Sequence, residues 1–130
     1  AAAHPGPSLV IAYSPCIAHG IDMTTMMEHQ KAAAESGYWP LYRYDPRRTV
    51  AGEPPLVIDA DPTSMPMRDY MEQEARFRMV ELRDPDRFAQ LVRAAELGVR
   101  DRHALYEQLA QVRYPGNAAP ADPDQEPSDG

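Results

Sequence analysis

The chain has 130 residues, of which 43% are hydrophobic, and its formal net charge is -7 at pH 7. This length allows one domain, the acidic balance disfavours general nucleic-acid binding, and no apolar run approaches the ~20 residues of a membrane span. A single cysteine, Cys16, excludes an internal disulfide framework and suits a reducing cytoplasm.

The first predicted element is a short apolar strand, Leu9–Tyr13, which lies between proline and glycine signals. Ser14-Pro15 ends this strand, because proline lacks the amide donor that a sheet ladder needs. Cys16 therefore follows a buried strand, at the edge where open α/β sheets collect ligands. A buried parallel strand needs neighbours on both sides, so the chain is either the C-terminal piece of a larger protein or a small α/β domain.

The second predicted element is a helix from Met23 to Ser36, which begins at a capping oxygen of Asp22 or Thr24. Gly37 is its expected C-terminal stop, because glycine readily adopts the left-handed conformation that ends helices. Strand, loop and helix together form half of a crossover unit, which indicates an α/β fold.

An aromatic segment, residues 38–47, reads Tyr-Trp-Pro-Leu-Tyr-Arg-Tyr-Asp-Pro-Arg. Its β-type residues predict a strand, and Pro40 restricts that strand to the edge of a sheet. The rings either pack over this edge, stack on Arg43 and Arg47 as cation–π pairs, or bind a base or phosphate.

Leu56-Val57-Ile58 is the next predicted strand, and two aspartates follow it. A calcium loop needs many more oxygen ligands at fixed spacing than these two residues provide. We therefore interpret Asp59 and Asp61 as turn residues and helix caps.

Two helices are predicted after this turn. Pro66 opens the first, and its apolar face contains Met67, Tyr70, Met71 and Phe77. The second begins at Asp84-Pro85-Asp86, and residues at seven-residue spacing continue through Gly98. This pattern favours one helix from about Pro85 to Arg113 over two helices hinged at Gly98.

Residues 115–130 contain no aromatic or large aliphatic side chain. Such a segment buries too little apolar surface to offset the entropy that ordering would cost. The sequence therefore predicts a folded part over residues 1–114 and a disordered tail over residues 115–130.

Cys16 and the nearby His19 are the candidate reactive residues. Cys16 is either a small buried hydrophobe or a thiolate ligand whose companions lie elsewhere in a larger protein. A Cys16–His19 nucleophile pair is a third interpretation, although no orienting partner or oxyanion hole has a sequence signature. Neither His29 nor His103 belongs to a His-Glu-x-x-His motif, and the chain has no glycine-rich phosphate loop.

Two blocks of the sequence resemble the C-terminal part of the single-chain pyruvate:ferredoxin (flavodoxin) oxidoreductases. The first is residues 8–20, which contain Tyr13-Ser14-Pro15-Cys16-Ile17-Ala18-His19-Gly20, and the second is residues 36–47. Both blocks occur in the family's order and spacing, and the resemblance extends from about Pro5 to Tyr114.

The resemblance implies an α/β fold that forms the C-terminal part of a thiamine-diphosphate-binding domain. Enzymes of this family decarboxylate pyruvate with coenzyme A on thiamine diphosphate and Mg²⁺, giving acetyl-CoA and CO₂. They pass electrons singly through 4Fe-4S clusters to ferredoxin or flavodoxin. They are cytoplasmic and typically homodimeric.

Within this resemblance, Cys16 matches the fourth cysteine ligand of the 4Fe-4S cluster nearest the thiamine diphosphate. The other three cysteines and the Gly-Asp-Gly…Asn segment that holds magnesium are absent from this chain. The resemblance therefore implies a segment that binds neither cofactor by itself and is not active alone. The rival interpretation is a stand-alone α/β interaction or capping module with an inert buried cysteine.

Overall fold

The computed structural model of the chain describes residues 3–60 and 64–114. Within them, four α-helices accompany a two-stranded sheet, which gives a small α/β fold. In chain order the elements are α1 Met26–Glu35, β1 Tyr42–Tyr44, β2 Leu56–Ile58, α2 Met67–Glu72, α3 Ala75–Arg83 and α4 Pro85–Leu109, with 3₁₀ turns at Ile17–His19, Met23–Thr25 and Pro46–Ala51. The predicted tail over residues 115–130 and the predicted turn residue Asp61 lie outside the described residues.

The structure contradicts the first predicted element. Residues 7–16 form neither strand nor helix, and Leu9, Val10 and Ile11 are 83%, 76% and 61% exposed. A strand needs a neighbour that pairs with its amides and carbonyls, and in the described part of the chain the sheet consists of β1 and β2 alone. The prediction of a buried strand over Leu9–Tyr13 is therefore wrong for this chain, and three apolar side chains face outward.

The helix predicted from Met23 is confirmed as a 3₁₀ turn followed by α1. It begins at Asp22, whose Oδ1 accepts a hydrogen bond of 2.9 Å from the Thr24 amide. Gly37 follows the helix with a φ of 73°, as expected for a glycine that terminates a helix. The small side chains of Ala32 and Ala33 are buried and let α1 approach the core closely.

Both strands predicted after α1 are confirmed, and β1 pairs with β2 in an antiparallel ladder. The arginines of the aromatic segment do not stack on its rings. Arg43 forms an ion pair of 2.7 Å with Asp59, and Arg47 forms one of 2.6 Å with Asp45. The cation–π alternative for these arginines is therefore not the observed arrangement, because nearby carboxylates offer charge-assisted hydrogen bonds instead.

The helix predicted from Pro66 is interrupted, so that α2 and α3 replace one continuous helix. Glu74 lies at the break, with φ −102° and ψ 126°, which is extended backbone. The break has a visible reason, since the Glu74 carboxylate points into the interior and the next amide, Ala75 N, donates to Gly20 O at 3.2 Å.

The last predicted helix is confirmed as the single helix α4, which continues through Gly98 without interruption. Its seven-residue stripe is buried only in the first half. Phe88 lies in the core, whereas Leu105 is exposed. The second half of α4 is attached more loosely, through Arg102, which donates hydrogen bonds to Gly37 O and Tyr38 O, and through the contact between the Tyr106 and Tyr42 rings.

The core lies where α1, α2 and α4 meet. Its fully buried members are Ala32, Ala33, Met67, Tyr70, Met71, Phe88 and Val92. Among the described residues, no helix is both long and apolar enough to cross a membrane.

Candidate functional site

The predicted site residue Cys16 lies in a loop that we call the Cys16 loop, residues 13–20. The backbone of Cys16 is extended (φ −123°, ψ 136°), and Cys16 immediately precedes the 3₁₀ turn Ile17–His19. The Cys16 carbonyl accepts a hydrogen bond of 2.9 Å from the His19 amide, which closes the turn. The thiol is free and exposed, so the interpretation of Cys16 as a buried hydrophobe is wrong for this chain.

Gly20 fixes the C-terminal end of the loop. It adopts a φ of +72°, a conformation that residues with a Cβ rarely adopt. A Cβ at this position would lie only 2.4 Å from the Ala75 Cβ. Since Gly20 O also accepts a hydrogen bond from Ala75 N, this end of the loop is attached to the first residue of α3.

Tyr13 fixes the N-terminal end of the loop. Its hydroxyl lies 3.1 Å from the Tyr70 hydroxyl, and its carbonyl accepts a hydrogen bond of 3.2 Å from Gln30 Nε2. Pro15, between Tyr13 and Cys16, is buried. Burial raises the pKa of Tyr13, which keeps this residue a neutral phenol.

A buried polar network, formed by His29, Tyr70 and Glu74, lies beneath the loop. Glu74 is 0% exposed, and its Oε1 lies 3.2 Å from His29 Nε2 and accepts a hydrogen bond of 3.4 Å from the Tyr70 hydroxyl. Its Oε2 accepts a hydrogen bond of 2.5 Å from Arg76 Nε. His29 Nδ1 lies 3.2 Å from Gln73 Oε1. Both carboxyl oxygens of Glu74 therefore have hydrogen-bond partners, as buried polar groups require.

Aromatic rings pack around this network. The Tyr70 ring stacks between His29 and Tyr38, with 5.0 Å between centroids on each side. Tyr13 contacts Tyr38 edge-on at 5.9 Å and Trp39 at 5.6 Å. The Tyr38 and Trp39 rings therefore pack, but against Tyr13 and Tyr70 and not over the sheet edge that the sequence suggested. Burial raises the pKa of Tyr70, so its hydroxyl keeps its proton.

Our sequence interpretation missed the buried network. The apolar face predicted for the helix from Pro66 did not include Glu74, although Glu74 follows Tyr70 by four residues and so shares a helical face with it. That spacing was the available signal, because a glutamate on an apolar face needs buried partners.

The other two candidate histidines, His19 and His103, belong to no metal centre among the described residues. His19 Nδ1 is buried and has no hydrogen-bond partner in the described part of the chain, so it does not act as a base toward Cys16 through this nitrogen. His103 lies 3.6 Å from Glu107 on α4. Within residues 3–60 and 64–114, no group of three His, Cys, Asp or Glu residues is placed to hold a metal ion.

Cys16 is thus an exposed thiol on a loop that is attached at both ends, and it belongs to no complete metal site among the described residues. The described residues supply no second thiolate, since Cys16 is the only cysteine of the chain.

Comparison with known proteins finds several relatives. The chain is 54% identical over 112 residues to the pyruvate-flavodoxin oxidoreductase of Rhodospirillum rubrum, a match that covers 86% of this chain and 9% of that protein. It is 41% identical over 106 residues to the pyruvate:ferredoxin oxidoreductase of Moorella thermoacetica, covering 82% of this chain and 9% of the relative. A pyruvate-flavodoxin oxidoreductase of Nostoc is 46% identical over 110 residues, and this match covers 85% of this chain and 9% of the relative. No family model matches.

Proposed function

Because the chain belongs to the pyruvate-flavodoxin and pyruvate:ferredoxin oxidoreductase family, as a segment of those longer proteins, we propose that it is the C-terminal segment of such an enzyme. The enzyme converts pyruvate and coenzyme A to acetyl-CoA and CO₂, releasing one proton and two electrons. The electrons pass singly to ferredoxin or flavodoxin. The observation that carries this proposal is the 54% sequence identity to the relative from Rhodospirillum rubrum. That alignment covers 86% of this chain but only 9% of the relative.

We further propose that Cys16 supplies the fourth thiolate of a 4Fe-4S cluster, and that the other three cysteines belong to the remainder of the enzyme. When bound, such a cluster accepts and donates single electrons. This segment contributes the thiolate and holds its position. Two features support this role: the Cys16 thiol is exposed, and the loop that carries it is attached at Tyr13 and at Gly20.

The exposed residues Leu9, Val10 and Ile11 support a larger enzyme around this segment. We propose that they complete the sheet of the thiamine-diphosphate domain, where the cofactor and Mg²⁺ bind to the remainder of the enzyme. Such pairing would cover three consecutive apolar side chains and satisfy their backbone groups. The segment then has no activity alone, and the intact enzyme is a homodimer in the cytoplasm.

Sequencing the DNA that encodes the chain, upstream of Ala1, tests the proposal. We expect the reading frame to continue into a Cys-x-x-Cys segment and a Gly-Asp-Gly…Asn segment. The purified product of the complete frame should then reduce ferredoxin or flavodoxin only when pyruvate and coenzyme A are both present. A start codon at this point, without a gene for a partner subunit nearby, would instead favour a stand-alone interaction module.

A further inference from the structure

We propose that Tyr70 and Glu74 are positioning residues for Cys16, because the junction between α2 and α3 attaches the Cys16 loop at both of its ends. This inference rests on the proposed role of Cys16 as a cluster ligand. It goes beyond that role by assigning a purpose to the buried polar network beneath the loop.

Both ends of the loop contact one short stretch of chain. Tyr13, three residues before Cys16, contacts the Tyr70 hydroxyl at 3.1 Å. Gly20, four residues after Cys16, accepts a hydrogen bond from Ala75 N at 3.2 Å. Residues 70–75 therefore act as a single platform that sets the distance and direction between the two ends of the loop.

At the Tyr13 end of the loop, the two hydrogen bonds form a chain in which Tyr13 donates to Tyr70 and Tyr70 donates to Glu74. The Tyr70 hydroxyl donates a hydrogen bond of 3.4 Å to Glu74 Oε1. The Tyr70 oxygen is then the acceptor for the Tyr13 hydroxyl. Because the Tyr70 hydroxyl takes part in both hydrogen bonds, its removal breaks the connection between Tyr13 and Glu74.

Glu74 also controls the second end, through its backbone. Its extended φ and ψ interrupt the helix, which turns the Ala75 amide away from a helical partner and toward Gly20 O. The side chain holds this conformation, since its carboxylate is fixed by His29 and Arg76. One buried residue therefore determines the geometry at both attachments of the Cys16 loop.

We expect a small displacement of the Cys16 sulfur to change the reduction potential and the spectrum of the cluster that it ligates. The potential and spectrum of an iron–sulfur cluster depend on hydrogen bonds to its sulfurs and on solvent exposure. Loosening the loop would change both, even where the cluster remains bound. A purely structural role of the network would change stability without changing the cluster spectrum.

The test compares three variants of the intact enzyme, each of which lacks one tyrosine hydroxyl. Two of them, Tyr70→Phe and Tyr13→Phe, remove the hydroxyls that attach the Cys16 loop. Tyr106→Phe is the matched control, because Tyr106 packs on Tyr42 at 5.0 Å, in α4 and β1, away from the loop. Two measurements are made on each variant: the EPR spectrum and midpoint potential of the reduced clusters, and hydrogen exchange of the peptide that spans residues 13–20.

We expect Tyr70→Phe and Tyr13→Phe to accelerate exchange in residues 13–20 by roughly two- to tenfold, the factor that corresponds to one lost hydrogen bond. We also expect both to shift the potential and spectrum of one cluster, whereas Tyr106→Phe changes neither. Wild-type spectra and potentials in both loop variants would overturn the proposal, whether or not exchange in residues 13–20 accelerates. Tyr13→Phe deletes the hydroxyl of a less buried residue, so it still tests the proposal where Tyr70→Phe does not fold.

Cys16→Ala separates this inference from the proposed function on which it rests. Unchanged cluster signals in Cys16→Ala would overturn the ligand role and, with it, the positioning of a ligand. Loss of one cluster signal in Cys16→Ala, together with wild-type spectra and potentials in Tyr70→Phe and Tyr13→Phe, would overturn only the positioning role.

Discussion

His29 Nε2 lies 3.2 Å from Glu74 Oε1 in the interior of the chain, where the two side chains are 2% and 0% exposed. A second His–Glu pair, His103 and Glu107, has a similar separation of 3.6 Å, but Glu107 is exposed. The two pairs share their chemistry and differ in burial. Comparing them therefore separates the contribution of a buried pair to the free energy of unfolding from that of an exposed pair.

We predict that Glu74→Ala lowers the free energy of unfolding by roughly 3–5 kcal/mol, because it leaves buried partners without their carboxylate. Glu107→Ala should cost less than about 1 kcal/mol, as is usual for exposed pairs. Urea unfolding measures both values. Equal effects of the two substitutions would contradict the structural importance of the buried network.

A second prediction concerns the contact between Gly20 and Ala75. Gly20→Ala should destabilise the protein by roughly 1–2 kcal/mol, because alanine is strained in the left-handed backbone conformation of this position. The overlap of the new Cβ with Ala75 should destabilise the protein further. Ala75→Gly removes the methyl group that causes the overlap. The double variant should therefore be about 1 kcal/mol more stable than the sum of the single effects predicts. Strict additivity in thermal unfolding would show that the loop does not contact α3 as described.

A third prediction concerns alkaline pH. Burial raises the pKa of Tyr70 above its ordinary value of 10.0, so above pH 10 the unfolded chain loses this proton while the folded chain keeps it. Stability should therefore fall as the pH rises beyond 10, by at most about 1.4 kcal/mol per pH unit for this one group. Tyr70→Phe should flatten this fall, whereas Tyr44→Phe, at an exposed position, should not. Unfolding midpoints between pH 8 and pH 11 provide the measurement, and equal slopes in the two variants would contradict the assignment.

A fourth prediction concerns the outward-facing residues Leu9, Val10 and Ile11. Val10→Asp should change the stability of this chain by less than about 0.5 kcal/mol, because the side chain is exposed, but should impair assembly of the intact enzyme. Val50→Asp is the matched control, since Val10 and Val50 are 76% and 78% exposed and Val50 lies in the 3₁₀ turn Pro46–Ala51, apart from this segment. Yields of folded intact enzyme on size-exclusion chromatography compare the two. Equal yields would argue against burial of this segment by the rest of the enzyme.

The sequence predicted the local elements of the fold well. The α1 helix, both short strands and α4 follow from capping residues, glycine stops and hydrophobic spacing, which act within a few residues. The failures involve partners distant in the chain. The Leu9–Tyr13 strand needs neighbours that the described sheet does not offer, and the break at Glu74 depends on His29, which lies 45 residues away.

The candidate site was predictable in part. Cys16 was found from its position after an apolar run and from the resemblance of its surroundings to a known family. The attachments at Tyr13 and Gly20 were not found, because they depend on residues 70–75, which the sequence pattern assigns to a continuous helix. A hydrogen bond between residues 57 positions apart, such as Tyr13 with Tyr70, leaves no local signal.

EPR spectroscopy of the dithionite-reduced intact enzyme, with and without Cys16→Ala, tests the central claim most directly. We expect the variant to lose or strongly alter the signal of one 4Fe-4S cluster, with a matching fall in bound iron, while the other cluster signals remain. His19→Ala serves as a control for disturbance of the same loop and should retain all cluster signals. A Cys16→Ala enzyme with the wild-type spectrum and wild-type iron content would contradict the assignment of Cys16 as a cluster ligand.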